Sequence, residues 1–177
     1  MSLDATVGGA NSNSYAVVAT ADAYFANRFV STAWDALTTT QKEKALVTAT
    51  RQIETLKYKS EKASTAIVGH ADYQALAFPR DYHYNESGAT YIASEVIEAL
   101  CEQAYFVIGH QDEAEKRRAL QAQGVKSFST GGVDNFNAPS VTETYVDGGA
   151  AASESICVNA RRLLAPHIDN TFCVLRA

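Results

Sequence analysis

Two stretches of this chain repeat apolar residues at three- and four-residue steps, and no other feature constrains the fold as much. Ala45, Leu46, Ala49, Ile53 and Leu56 form one stripe between residues 40 and 57, with Lys44, Thr48, Arg51 and Thr55 on the opposite side. Ile92, Val96, Leu100, Ala104 and Val107 form a second stripe, along a helix expected over 93–108, opposed by Glu95, Glu98 and Glu102. A period of 3.6 residues puts each stripe on one side of an α-helix, and such a helix is stable in water only when that side is covered. Thr40 and Glu43 fit a capping box that opens the first of these helices.

Around this pair the chain reads as further short helices and irregular links. Thr20 is placed to cap a helix over 21–29, and a turn carries Trp34 and Leu37. Residues 58–91 are broken by Gly69, Pro79 and Gly88, and Ala75 to Arg80 reads as an extended segment pinned onto the core. A charged helix over 112–123 would end at Gly124. Val125 to Ser129 and Val141 to Val146 alternate as strands do, and a last helix over 153–165 stops at Pro166. The expected fold is mainly α: a small helical bundle with one β-hairpin or long-loop insertion and extended N- and C-terminal arms. All 177 residues are expected to form one domain. Its parts would be an arm (1–14), a helical core (15–124), the insertion (125–149), the last helix (150–166) and a C-terminal arm (167–177).

Composition narrows the function. No apolar run approaches the roughly 20 residues that span a bilayer, and Met1 to Ala10 lacks the basic and apolar regions of a signal peptide, so neither membrane nor export is expected. Three cysteines without a Cys-x-x-Cys pair suggest buried thiols rather than a disulfide framework or a zinc site. The net charge is −5 with Lys and Arg dispersed, which predicts no tight grip on DNA phosphates. Nucleophile elbow, Walker loop, His-Glu-x-x-His and Gly-x-Gly-x-x-Gly are all missing, so neither an enzyme nor a cofactor or metal site is expected. Glu95, Glu98 and Glu102 share a helix face, but they oppose the apolar stripe and so read as a solvated or subunit-facing surface. Tyr73, Phe78, Tyr82, His83, Tyr84 and Tyr91 have the chemistry to stack bases; with Arg80 alone among them, packing on the core or a partner is the favoured reading. Phe172, Val174 and Leu175 leave an apolar cluster beyond the last helix.

Several phrases occur together in order: Ala10-Asn11-x-Asn13-Ser14-Tyr15, Ala21-Asp22-Ala23-Tyr24-Phe25, Trp34, Ala49-Thr50-Arg51-Gln52-Ile53, Gln74-Ala75-Leu76-Ala77-Phe78-Pro79-Arg80, Ile92-x-x-Glu95-Val96 and Gly124-Val125-Lys126-Ser127. In this set the chain resembles small head-to-tail adaptors of tailed bacteriophages, proteins also labelled single-stranded-DNA-binding and similar to primosomal DnaT. The adaptor resemblance implies a structural virion protein, assembled in the host cytoplasm. A dodecameric ring would join the portal protein to a tail or stopper protein, and double-stranded DNA would pass through without tight binding. Under it Phe172, Val174, Leu175 and Arg176 are portal-docking candidates, and Glu95, Glu98, Glu102, Lys126 and Phe128 are channel or subunit-interface candidates. The alternative it carries is a DnaT-like protein that binds single-stranded DNA.

Overall fold

The structure, a computed structural model, describes residues 2–122, 127–130, 141–144 and 156–169, with side chains for 2–110 and 156–169. Among them the chain forms α1 (Val18–Ala26), α2 (Thr32–Asp35), α3 (Thr39–Ile53), α4 (Ser94–Ala122), β1 (Ser127–Thr130), β2 (Val141–Thr144) and α5 (Val158–Leu164). The fold is mainly α, as the two apolar stripes require. It divides into one compact unit of Met1–Gly109 with Ile156–Ala177 and a second of His110–Ser155. In the second, β1 and β2 pair antiparallel, with Ser127 opposite Thr144 and Thr130 opposite Val141.

Both stripes lie in the core of the first unit. Ala45, Leu46, Ala49 and Ile53 of α3 are buried, as are Val96, Leu100, Ala104 and Val107 of α4. Phe25 of α1 stacks on Trp34 of α2 with centroids 4.6 Å apart, so the two short helices close one end of the core with aromatic surface. Leu164 of α5 is fully buried as well. None of the helices among the described residues is long and apolar enough to cross a membrane.

Several boundaries differ from expectation. The capping box is Thr38 with Gln41, not Thr40 with Glu43: the Gln41 N–H reaches the Thr38 hydroxyl at 3.4 Å, and Gln41 Oε1 accepts from the Thr38 N–H at 2.9 Å. Starting earlier adds ladder bonds, Lys42 N–H to Thr38 O at 3.0 Å among them. The first helix starts at Val18 without a side-chain cap, so Thr20 lies inside it. The expected helices 93–108 and 112–123 are one, because Gly109 between them weakens a helix by only about 1 kcal/mol and no proline removes a donor. Cys157, expected within the last helix, instead caps it, its Sγ accepting from the Ala160 N–H at 3.3 Å.

The segment before Pro79 is held inward. Phe78 and Pro79 are buried and joined by a cis peptide bond. The Glu54 carboxylate accepts the Ala77 N–H at 3.0 Å and also binds the Tyr15 hydroxyl. Gln74 is buried and donates to the carbonyls of Leu76 and Pro79, both at 2.9 Å. Burial pushes the Cys101 thiol up to about 12, so this cysteine behaves as core.

Leu100→Ala should lower the stability of the folded chain by about 2–5 kcal/mol, because it leaves a fully enclosed cavity. Glu98→Gln should change it by less than about 0.5 kcal/mol. Urea unfolding of both variants checks the phase of α4: equal losses would show that its buried face is misassigned.

Candidate functional site

Glu95, Glu98 and Glu102 do not share one environment. Glu95 is exposed in the first turn of α4, Glu98 is half-buried, and Glu102 is buried. Glu102 pairs with Arg28 at 2.9 Å, accepts the Tyr24 hydroxyl at 2.7 Å and accepts the Asn159 amide at 3.1 Å. Its expected solvated position is therefore corrected: α4 is covered on that side too, by residues from α1 and α5. Next to it Gln103 is fully buried, bonded to Gln52 Oε1 at 2.6 Å and accepting the Cys157 N–H at 2.8 Å. Phe128 lies in β1 opposite Glu143. Lys126, Phe172, Val174, Leu175 and Arg176 lie outside the described residues.

Tyr24, Glu98, Glu102, Asn159, Arg162 and Leu163 line an open cleft of about 370 Å³ between these helices. Two carboxylates against one arginine make it a poor seat for a phosphate. Neither Tyr24, Arg28 nor Asn159 was legible as a partner of Glu102, since they stand 78, 74 and 57 residues away.

A second surface gathers aromatic rings. Tyr84 and Thr90 form an antiparallel bridge, and Tyr91 N–H donates to His83 O at 3.2 Å. Asn85 Oδ1 closes the turn by accepting from Ser87 N–H at 3.1 Å and Ala89 N–H at 2.9 Å, while Gly88 takes a φ of +78° that a side chain would strain. Strand alternation then separates the rings. His83 is buried against Phe78, 5.7 Å away and nearly parallel, and lies 5.4 Å from Tyr91. Tyr82 stacks on His167, with its hydroxyl 3.0 Å from Nδ1. Tyr82, Tyr84 and Tyr91 remain 47%, 47% and 43% exposed.

The base beneath these tyrosines is densely hydrogen-bonded. Buried Arg80 donates to the carbonyls of Tyr58, Lys59, Ser60 and Ala77. Lys59 donates through its N–H to His167 O at 2.8 Å and through Nζ to Pro166 O at 2.9 Å, so an ammonium sits beside the stacked rings. Burial, and after it the neighbouring His167 and Arg80, holds the His83 pKa below the usual imidazole range. Burial likewise lowers His167, with Glu95 opposing and Lys59 adding to the effect. Both rings are thus neutral, flat packing surfaces near pH 7. Of the expected packing on the core or a partner, Phe78 and His83 take the core, while Tyr82, Tyr84 and Tyr91 are left partly exposed.

A family model described as "Putative DnaT-like ssDNA binding protein" matches residues 1–177. No curated protein and no solved structure matches the chain. The family match corrects the head-to-tail adaptor expectation in favour of its alternative. With the adaptor go the portal protein, the tail or stopper protein, the dodecameric ring and loosely held passing duplex as partners. The expectation failed because net charge is an average over the whole surface. Fifteen Lys and Arg among 20 Asp and Glu say nothing about where cations gather, and base stacking needs no net positive charge.

The depressed histidines set a pH dependence. Above about pH 6.5 both are neutral folded or unfolded; below it the unfolded chain takes up protons that the folded chain resists, so stability falls with acidification. Thermal midpoints should drop between pH 7.5 and 5.5, and a His83→Gln/His167→Gln variant should flatten that drop. The paired comparison separates the histidines from Glu54, whose carboxyl is pushed up by burial and acts in the opposite direction. An identical pH profile in the variant would contradict the assignment.

Proposed function

Because this chain belongs to the DnaT-like single-stranded-DNA-binding family, we propose that it binds single-stranded DNA, without catalysing a reaction, through the tyrosine surface around His83. The observation that carries this reading is the exposure of Tyr82, Tyr84 and Tyr91 on one anchored turn. An unpaired strand leaves its base faces open to such rings, whereas a duplex hides them in its own stack. Each stacked base contributes about 1–3 kcal/mol and is accepted whatever its identity. Two or three such contacts supply about 2–9 kcal/mol before the cost of ordering the strand, so stacking alone gives an affinity weaker than micromolar and further contacts must add to it.

The anchoring supports the same reading. His83 and the Arg80 bonds hold the turn before a ligand arrives, so little backbone freedom is lost on binding. Lys59 supplies a cation at the edge of the rings.

Fluorescence anisotropy with a labelled oligothymidylate tests the proposal. Tyr84→Ala and Tyr91→Ala should each weaken binding about ten-fold, while their far-UV circular dichroism matches the parent. The same sequence annealed into a duplex should bind more weakly than the single strand. Affinity untouched by both substitutions would remove the tyrosine surface from the reading, and no binding to any single strand would remove the function.

A further inference from the structure

Most cations among the described residues are committed to the protein itself. Arg28 pairs with Glu102, Lys42 with Asp22 at 2.8 Å and Lys57 with Asp169 at 3.3 Å. Lys59, Lys62 and Arg80 are bonded to backbone carbonyls. Lys44 and Arg51 differ. Both are exposed on the outer face of α3, and neither has an ion pair or hydrogen bond among the described residues; Arg161 and Arg162 of α5 are likewise exposed, but Arg162 shares its cleft with Glu98 and Glu102.

They also converge on a groove. Leu3, Thr40, Glu43, Lys44, Val47, Thr48 and Arg51 line a space of about 340 Å³, more enclosed than the cleft beside Glu102. Seven residues, or about 10.5 Å of helix, separate the two cations on the same face. The threonine hydroxyls lie along the same row, while Leu3 and Val47 supply an apolar strip. The Leu3 wall belongs to an arm that is tied down, since Asp4 exchanges bonds with Asn13 at 2.9 Å and accepts the Ser14 N–H at 3.1 Å. Charge favours an anion here: two cations face one carboxylate, Glu43, in a chain whose net charge is −5.

We propose that this α3 groove holds the sugar–phosphate backbone of the bound single strand, with Lys44 and Arg51 on phosphates and Leu3 and Val47 against deoxyribose. The inference rests on the single-stranded-DNA reading and adds to it a contact that reads no base. Phosphate contacts position a strand, whereas ring contacts engage its bases, so the two surfaces have separable signatures.

The experiment measures affinity against salt concentration for the parent, Lys44→Gln/Arg51→Gln and Tyr84→Ala, using oligothymidylate and an abasic strand of equal length. Each phosphate contact on a single strand contributes about 0.7 to the slope of log affinity against log salt. The double variant should therefore lower the slope by about 1.4 on both strands, while Tyr84→Ala leaves the slope unchanged. Arg161→Gln, an exposed cation of α5, serves as the charge control and should leave the slope near that of the parent. Matching thermal midpoints show that the exposed substitutions leave the fold intact. An unchanged slope in the double variant, with the parent still binding, overturns the groove and leaves the single-stranded-DNA reading standing. Saturable binding of inorganic phosphate that needs Lys44 and Arg51 yet does not compete with the strand assigns the groove to a small anion and overturns the proposal. Failure of the parent to bind either strand at low salt overturns both readings together.

Discussion

The Arg80 guanidinium is the contact on which the irregular half of the structure depends. A buried cation must be satisfied, and here the carbonyls of Tyr58, Lys59, Ser60 and Ala77 do it, drawing two distant stretches onto one point. Those stretches carry Tyr58 and Phe78, which meet edge to face 4.6 Å apart, and Phe78 in turn supports His83 and His167. Without that fork, residues 58–91 hold few regular backbone bonds to keep them in place. The tyrosine surface is the outer layer of this assembly.

A second polar node does the same for the helices. Glu102 and Gln103 tie α4 to α1, α3 and α5 through hydrogen-bonding side chains rather than apolar contact alone. Apolar packing tolerates small slips, whereas a buried carboxylate that must meet a tyrosine, an arginine and an amide does not. The node therefore fixes how the helices align, and Tyr24 is drawn with it: burial first, then the bond to Glu102, raises its phenol well above the ordinary range.

Beside these two nodes the protein presents three surfaces of different chemistry. Around Glu98 and Glu102 the cleft is acidic, and Glu102 is already satisfied from within. Around Tyr82, Tyr84 and Tyr91 the protein offers flat rings, and along the outer side of α3 it offers two cations, Lys44 and Arg51, against the single carboxylate of Glu43. Charge counted over the chain hides this separation. An acidic protein binds a polyanion when the cations it does have are left free in one place and base stacking supplies the rest.

Sequence by itself determined the helical class, the buried stripes of α3 and α4, and the inward pinning of Ala75 to Arg80, because apolar period and proline chemistry act locally. It also placed Lys44 and Arg51 on the face opposite the α3 stripe. The capping box expected at Thr40 with Glu43 lies instead at Thr38 with Gln41, a pair that meets the same spacing rule. Only the tertiary structure decided that Glu102 is core while Glu95 is surface, because that depends on Arg28 and Asn159 arriving from remote parts of the chain. Only it decided which rings of the 73–91 stretch are buried and which are open. Periodicity reports one face of one element; burial of a polar side chain depends on which other elements meet there, and that is a property of the packed chain.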